Sequence, residues 1–329
     1  MSTDATESPQ DLFATWFPHI CDGILRHTDL ASNLALRSAC RALRDKVDPL
    51  LAYHIQLDAP QGDAKLGSIS SKGCPRNDSS LFKLPLEPHI IDRFLPFSQV
   101  VDITYPHDRK VRTNQLPSLK TVRLFPRDDK KHDLDVGTPL GPTECILFVR
   151  LRPPRDDYGM ELAQFRGYPK TSQRLVVNIT LDTSHHNLLG SKLMLPICPV
   201  TLIFTKDRNP QFTADDRLAR ANSPGLWPVI TPIEGTKGYP SHPHTFVNYE
   251  IVRRSWFGAA NGDPPDATAK DILIHRLVTD MSRPRGPDRR SAMSKAEALE
   301  RVAKKVRFLT LDEYREEVGE AQFLLETKR

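Results

Sequence analysis

With 46 basic and 41 acidic residues among 329, the chain has a formal net charge of +5, and the two signs interleave along most of its length. A nucleic-acid binder gathers its positive charge on one face or helix, so that class is disfavoured. Hydrophobic residues at 39% and charged residues at 26% match a folded globular protein, and the length exceeds the roughly 250–300 residues at which one core stops growing, so a small module plus a larger domain is expected.

In chain order, residues 1–11 are polar and acidic, which predicts a mobile tail without a secretory leader. Residues 12–57 read as a helical module. Phe17, Ile20, Ile24 and Leu25 fall at helical spacing on one face. Pro18 suits a first helical position, where its missing N–H costs nothing, and Asp29 suits the N-cap of a second helix. That second stretch runs through Leu30, Leu34, Leu36, Ala39, Cys40, Leu43 and Val47. Asp48-Pro49 is expected to break it, with Leu50-Leu51 opening a last short turn.

Residues 58–80 turn to glycine, serine, proline and aspartate, the composition of a linker. Beyond it, residues 81–329 predict an α/β domain of short, mostly parallel strands. The 28 prolines in the chain keep its elements short, because proline fixes φ and removes a backbone donor. Val100–Tyr105, Thr121–Phe125, Cys145–Leu151, Leu175–Leu181 and Val200–Thr205 are the clearest strands; Phe246–Val252, Asp271–His275 and Arg307–Leu311 are weaker candidates. Equivalent positions Ile103, Leu124, Phe148, Ile179 and Phe204 are 21, 24, 31 and 25 residues apart. Such spacing leaves room for a return segment between parallel strands and lies near the period of leucine-rich repeats. Leu116-Pro-Ser-Leu119-Lys-Thr-Val122-Arg-Leu124 follows the repeat's apolar steps, but Arg127 stands where its asparagine belongs. A degenerate solenoid and an irregular sheet both remain open. Residues 283–295 form a charged, proline-containing loop. Ser294 and Glu297 then make a capping box for a helix through Ala296, Leu299, Val302 and Ala303. A last helix from Asp312 carries Tyr314, Val318, Phe323 and Leu324.

Catalytic and metal motifs are not evident. The five cysteines, at 21, 40, 74, 145 and 198, include no Cys-x-x-Cys pair, which argues against a zinc module and a disulfide framework and for a reducing compartment, cytoplasm or nucleus. No stretch is long and apolar enough to span a membrane. No Gly-x-x-x-x-Gly-Lys-Ser/Thr or Gly-x-Gly-x-x-Gly loop occurs. His185-His186 and His242-x-His244 lack an acid or cysteine at ligand spacing and read as surface loops. Asp128-Asp129, Asp156-Asp157 and Asp215-Asp216 sit in polar, turn-forming stretches. Neither a cofactor nor an enzymatic activity is expected.

Phe17-Pro18-x-Ile20, Ile24-Leu25, Asp29-Leu30, Leu34, Leu36, Ala39-Cys40-Arg41, Leu43-Arg44 and Val47 resemble the F-box. In that family a hydrophobic-proline pair opens helix one, an aspartate-leucine turn follows, and helix two ends in a small-cysteine-arginine step. The continuation Val47-Asp48-Pro49-Leu50-Leu51-Ala-Tyr53-His54-Ile55-Gln-Leu57 looks like the fungal form, in which a proline-leucine-leucine turn leads into a first strand. The rest of the chain is similar at most to uncharacterised fungal F-box proteins with loosely repeated, leucine-rich-repeat-like strands. The resemblance implies a three-helix unit that docks a Skp-type adaptor of a cullin–RING ubiquitin ligase, while the larger domain holds a protein substrate for degradation. It implies an adaptor-binding set of Phe17, Pro18, Ile20, Ile24, Leu25, Leu30, Leu34 and Cys40. Phe17 in place of a leucine, Gly23 inside helix one, and Thr28 in place of an aliphatic residue depart from the pattern. The rival expectation is a ligase-independent scaffold whose helical module packs only on its own domain.

Overall fold

The computed structural model describes residues 17–58, 68–71, 82–85, 95–104, 116–125, 134–135, 144–151, 165–166, 173–181, 198–206, 242–252, 264, 266–282 and 293–328. Positions His185-His186, Asp128-Asp129, Asp156-Asp157, Asp215-Asp216, Cys74 and residues 283–292 lie outside the described residues. The architecture is α/β with parallel strands, and the chain divides into two compact units, Met1–Val122 and Arg123–Arg329. Among the described residues no helix is long and apolar enough to cross a membrane.

The first unit begins with α1 (Pro18–His27), α2 (Leu30–Ala39) and α3 (Arg41–Ala52). Asp29 caps α2 as expected, its side chain accepting from the Ser32 N–H at 2.7 Å. Two boundaries differ from the sequence reading. The periodic stretch expected as one helix is two, because Cys40 takes an extended backbone (φ −157°, ψ 168°) between Ala39 and Arg41. Proline does not break the run either: Pro49 lies inside α3. It removes a single backbone bond three residues before the helix ends. Around it Val47, Leu51 and Ala52 are buried with Cys21 and Leu25, and Asp48 pairs with Arg37 at 2.5 Å. The local penalty of an interior proline, about 3 kcal/mol, is outweighed by that packing.

The helices lead into β1 (His54–Asp58), followed by β2 (Ser68–Ser71), β3 (Phe82–Pro85), β4 (Val100–Thr104) and β5 (Thr121–Phe125), the last of which crosses the division between the units. β2 therefore falls inside the stretch read as a linker. β1 runs parallel to β4 and antiparallel to β2, which pairs antiparallel with β3. The Tyr53 carbonyl accepts from the N–H groups of Gln99 and Val100, both at 3.0 Å, and ties the end of α3 to the start of β4. Beside this junction His54 on β1 and Asp102 on β4 are both buried and meet at 2.8 Å.

The second unit contains β6 (Leu134–Asp135) paired with β8 (Phe165–Arg166), and a main set of β7 (Glu144–Leu151), β9 (Arg174–Leu181), β10 (Val200–Lys206), β11 (His244–Val247) and β12 (Val306–Leu309). These five lie side by side in chain order, each parallel to the next. Register runs straight across: Cys145, Leu175, Val200, His244 and Val306 are opposed in turn. Side chains of both faces are buried, as in parallel sheets generally. Cys145, Leu147, Val177, Leu202 and Phe246 fill one; Ile146, Phe148, Val176, Ile203 and Val247 fill the other.

Among the described residues four helices follow: α4 (Ala269–Ser282), α5 (Lys295–Lys305), α6 (Leu311–Val318) and α7 (Glu320–Thr327). Asp271–His275, a strand candidate from sequence, is helical. Its central apolar run, Ile272-Leu273-Ile274, suits a strand, but buried Ala269, Ile272, Leu273, Leu277 and Met281 follow helix spacing, and the Asp271 carboxylate accepts from the Thr268 N–H at 2.9 Å. The Ser294–Glu297 capping box is present, although α5 buries Ala298 and Val302 and leaves Leu299 52% exposed, contrary to the expected face. A second capping box, Thr310 with Glu313, starts α6. The single terminal helix expected is broken by Gly319, whose φ of +80° only glycine adopts readily. Tyr314 and Phe323, one from each half, pack on the Ile146 face.

His244 is not in a surface loop. It opens β11, is buried, and its Nδ1–H donates to the His242 carbonyl at 2.9 Å. Burial pushes its pKa down from 6.5 to about 4. Between those values the unfolded imidazole is protonated while the folded one is not, so the unfolded state binds more protons and stability falls as pH drops. The loss should approach about 3 kcal/mol near pH 4. His244→Gln is expected to flatten that part of a stability-versus-pH curve measured by urea unfolding.

Candidate functional site

Among the described residues of the first unit, an apolar stripe is exposed to solvent. Phe17 is the N-cap residue of α1, its carbonyl accepting from the Cys21 N–H at 3.0 Å, and Pro18 follows at the first helical position. From there the helix divides its apolar residues between two faces. Cys21 and Leu25, four apart, turn inward and are buried with Val47, Leu51 and Ala52 of α3, flanked by half-buried Leu34, Leu36, Leu43 and Leu50. Phe17, Ile20 and Ile24, three and four apart, turn outward and are 46%, 44% and 46% exposed. Pro18 is exposed beside them. Among the described residues five large hydrophobic side chains are exposed, and three belong to this one stripe.

The stripe rests on a fixed frame. Asp22 on α1 pairs with Lys46 on α3 at 2.6 Å, and Arg37 on α2 with Asp48 on α3. At the corner between α1 and α2 the Thr28 hydroxyl shares its one proton between two acceptors, the Asn33 side-chain oxygen at 2.8 Å and the Leu25 carbonyl at 3.0 Å. A threonine thus locks by polar contacts a corner that the family pattern fills with an aliphatic side chain. Gly23 has open space where a Cβ would stand, so nothing in the packing requires glycine there. Gly23→Ala should raise stability by about 0.5–1 kcal/mol through helix propensity alone, readable as a higher urea midpoint.

The eight residues of the sequence-derived set therefore separate. Phe17, Pro18, Ile20 and Ile24 share the exposed stripe. Leu25 is buried and Leu34 half-buried in the core beneath it. Cys40, half-buried, is the hinge between α2 and α3. Leu30 opens α2, its side chain lying outside the described residues.

In the second unit a charged cluster appears that the sequence did not announce. Arg174 on β9 donates to Glu326 on α7 at 2.7 Å, to Glu144 on β7 and to the Tyr314 hydroxyl on α6. Tyr314 donates to Glu326, and Gln322 reaches Glu326 at 2.7 Å and Glu144 at 2.9 Å. Glu326 is fully buried. Burial raises its carboxyl pKa, Arg174 opposes that rise, and Glu144 adds to it. For Arg174, burial favours the neutral form, but Glu326, Tyr314 and Glu144 more than reverse this and raise its pKa. The partners are 30, 140 and 152 residues from Arg174, so no local pattern marks them. The cluster clamps the last helix to the strands. Among the described residues no three His, Cys, Asp or Glu side chains gather to hold a metal.

No protein-family model matches the chain, and no match was found among curated proteins or solved structures.

Proposed function

We propose that α1 is a docking helix for a Skp-type adaptor, and that the chain is an F-box-type subunit bringing a protein substrate to a cullin–RING ubiquitin ligase. The observation that supports this reading is the outward stripe of Phe17, Ile20 and Ile24 above a core that is already closed by Cys21 and Leu25. A module that served only its own domain would turn its largest apolar side chains inward. Here α3 makes the internal connection, through Tyr53 and β1, while Phe17 and, on α1, Ile20 and Ile24 are nearly half exposed. Parallel strands set side by side in chain order fit the degenerate-repeat form of substrate domain found with such modules. The function is positional: the substrate's effective concentration at the ligase is raised without chemistry on this chain.

The direct test is co-purification of the full chain with a Skp-type adaptor. Failure of the folded wild type to bind at micromolar concentration would leave the ligase-independent scaffold as the better reading.

A further inference from the structure

We infer that a groove beside α3 in the first unit binds a peptide carrying an anionic side chain next to an apolar one. The groove has a volume of about 630 Å³ and is lined by Arg41, Arg44, Asp45, Asp48 and Phe97, within the range of ligand-binding clefts. It lies outside the Phe17–Ile24 stripe, and the inference stands whether or not that stripe binds an adaptor.

The charges in the lining are not matched. Asp48 is committed to Arg37 at 2.5 Å. Asp45 and Arg41 are 3.9 Å apart, with side chains 63% and 91% exposed, a pair of the kind that contributes little and exchanges readily. Arg44 is left over, and its Nε is buried without a hydrogen-bond partner. Arg123 and Arg276 bury an Nε of the same kind; Arg123 is engaged by the rings of Phe125 and Phe148 at 4.9 and 5.0 Å and donates to the Lys328 carbonyl. Among the described residues no ion pair or ring contact engages Arg44. An arriving carboxylate or phosphate would pair with the outer nitrogens of its guanidinium, in the fork geometry that arginine favours.

Phe97 decides between a free anion and a peptide. It stands on a 3-10 turn, Leu95–Phe97, whose Leu95 is buried while Phe97 itself is 44% exposed. It gives the groove an apolar wall that inorganic phosphate would not use and that a neighbouring leucine or aromatic side chain would. A cation is disfavoured: of the two acids in the described lining, Asp48 is held by Arg37 and Asp45 stands near Arg41.

The test titrates the full chain calorimetrically with inorganic phosphate and with three blocked tetrapeptides, Gly-X-Leu-Gly, where X is phosphoserine, glutamate or serine. Saturable binding of the phosphoserine or glutamate peptide, at least about ten-fold tighter than serine peptide or phosphate, is the expected result. Preference between the two identifies a phosphorylated or a plain acidic segment. Arg44→Gln and Phe97→Ser should each weaken binding by about ten-fold, and Arg44→Lys should not restore it. Phe97 is exposed, so its variant carries the test should Arg44→Gln unfold. Absence of saturation by every peptide at millimolar concentration, or unchanged affinity in folded Phe97→Ser, overturns the inference. Adaptor binding, followed in the same preparations, reports on the stripe separately.

Discussion

Ile20→Glu combined with Ile24→Glu is expected to abolish adaptor binding while leaving the helical module folded. Both side chains already face solvent, at 44% and 46% exposure, so charged replacements cost the isolated chain little. In a complex the same positions must be desolvated. Burying the exposed part of each isoleucine is worth roughly 1–2 kcal/mol. Burying an unpaired carboxylate in its place carries a further penalty. The pair should lose at least about 3 kcal/mol, more than a hundred-fold in Kd. Leu25→Ala is the useful contrast. It empties a buried site against Val47 and Leu51 and should destabilise the module by about 2–5 kcal/mol, so that binding and folding fail together. Isothermal titration with the adaptor, alongside urea unfolding, separates the two. A double glutamate variant that binds like wild type would remove α1 from the interface.

How far the sequence revealed these outcomes depends on the range of the forces involved. Asp29, Pro18 and the Ser294–Glu297 box act within a few residues, and all three stand where their chemistry predicted. The strands of the main sheets were legible because β-branched and aromatic runs leave a period-two or continuous apolar signal, as in Thr121–Phe125 and Val200–Lys206. Local rules failed where packing outweighed them. Pro49 stays helical because its neighbours are buried, and Asp271–His275 is helical although its short apolar run suits a strand. The outward stripe was only half legible. Spacing placed Phe17, Ile20, Ile24 and Leu25 together, but which of them face α3 is settled by the third helix, whose position one amphipathic pattern does not encode. Arg174, Glu326 and Arg44 were invisible for the same reason: what matters about each is a partner, or a missing one, distant in sequence.

Arg174→Met should cost the second unit roughly 3–5 kcal/mol, because removing one partner of a buried ion pair leaves the remaining charge uncompensated. Glu326 would lose its close cation while remaining fully buried, and Glu144 would lose its own. The pH dependence fixes the cause. Glu326 already has a carboxyl pKa above the ordinary 4.5, so the folded state holds its proton to higher pH than the unfolded state does. Its contribution is therefore most favourable at low pH and is lost as pH rises from 4.5 through the raised value. Without Arg174 that pKa climbs further. The deficit of the variant should thus be largest at neutral pH and shrink in acid, where a neutral carboxyl needs no cation. Arg174→Met with Glu326→Met and Tyr314→Phe should recover much of the loss, since an apolar set of similar volume removes the buried Glu326 charge, leaving Glu144 with its Gln322 donor. Hydrogen exchange of the α7 amides is the sensitive readout, because Glu326 and Gln322 attach that helix to β7 and β9. A cost below about 1 kcal/mol in the single variant, independent of pH, would mean that Phe323 and its apolar neighbours hold α7 without the charged clamp.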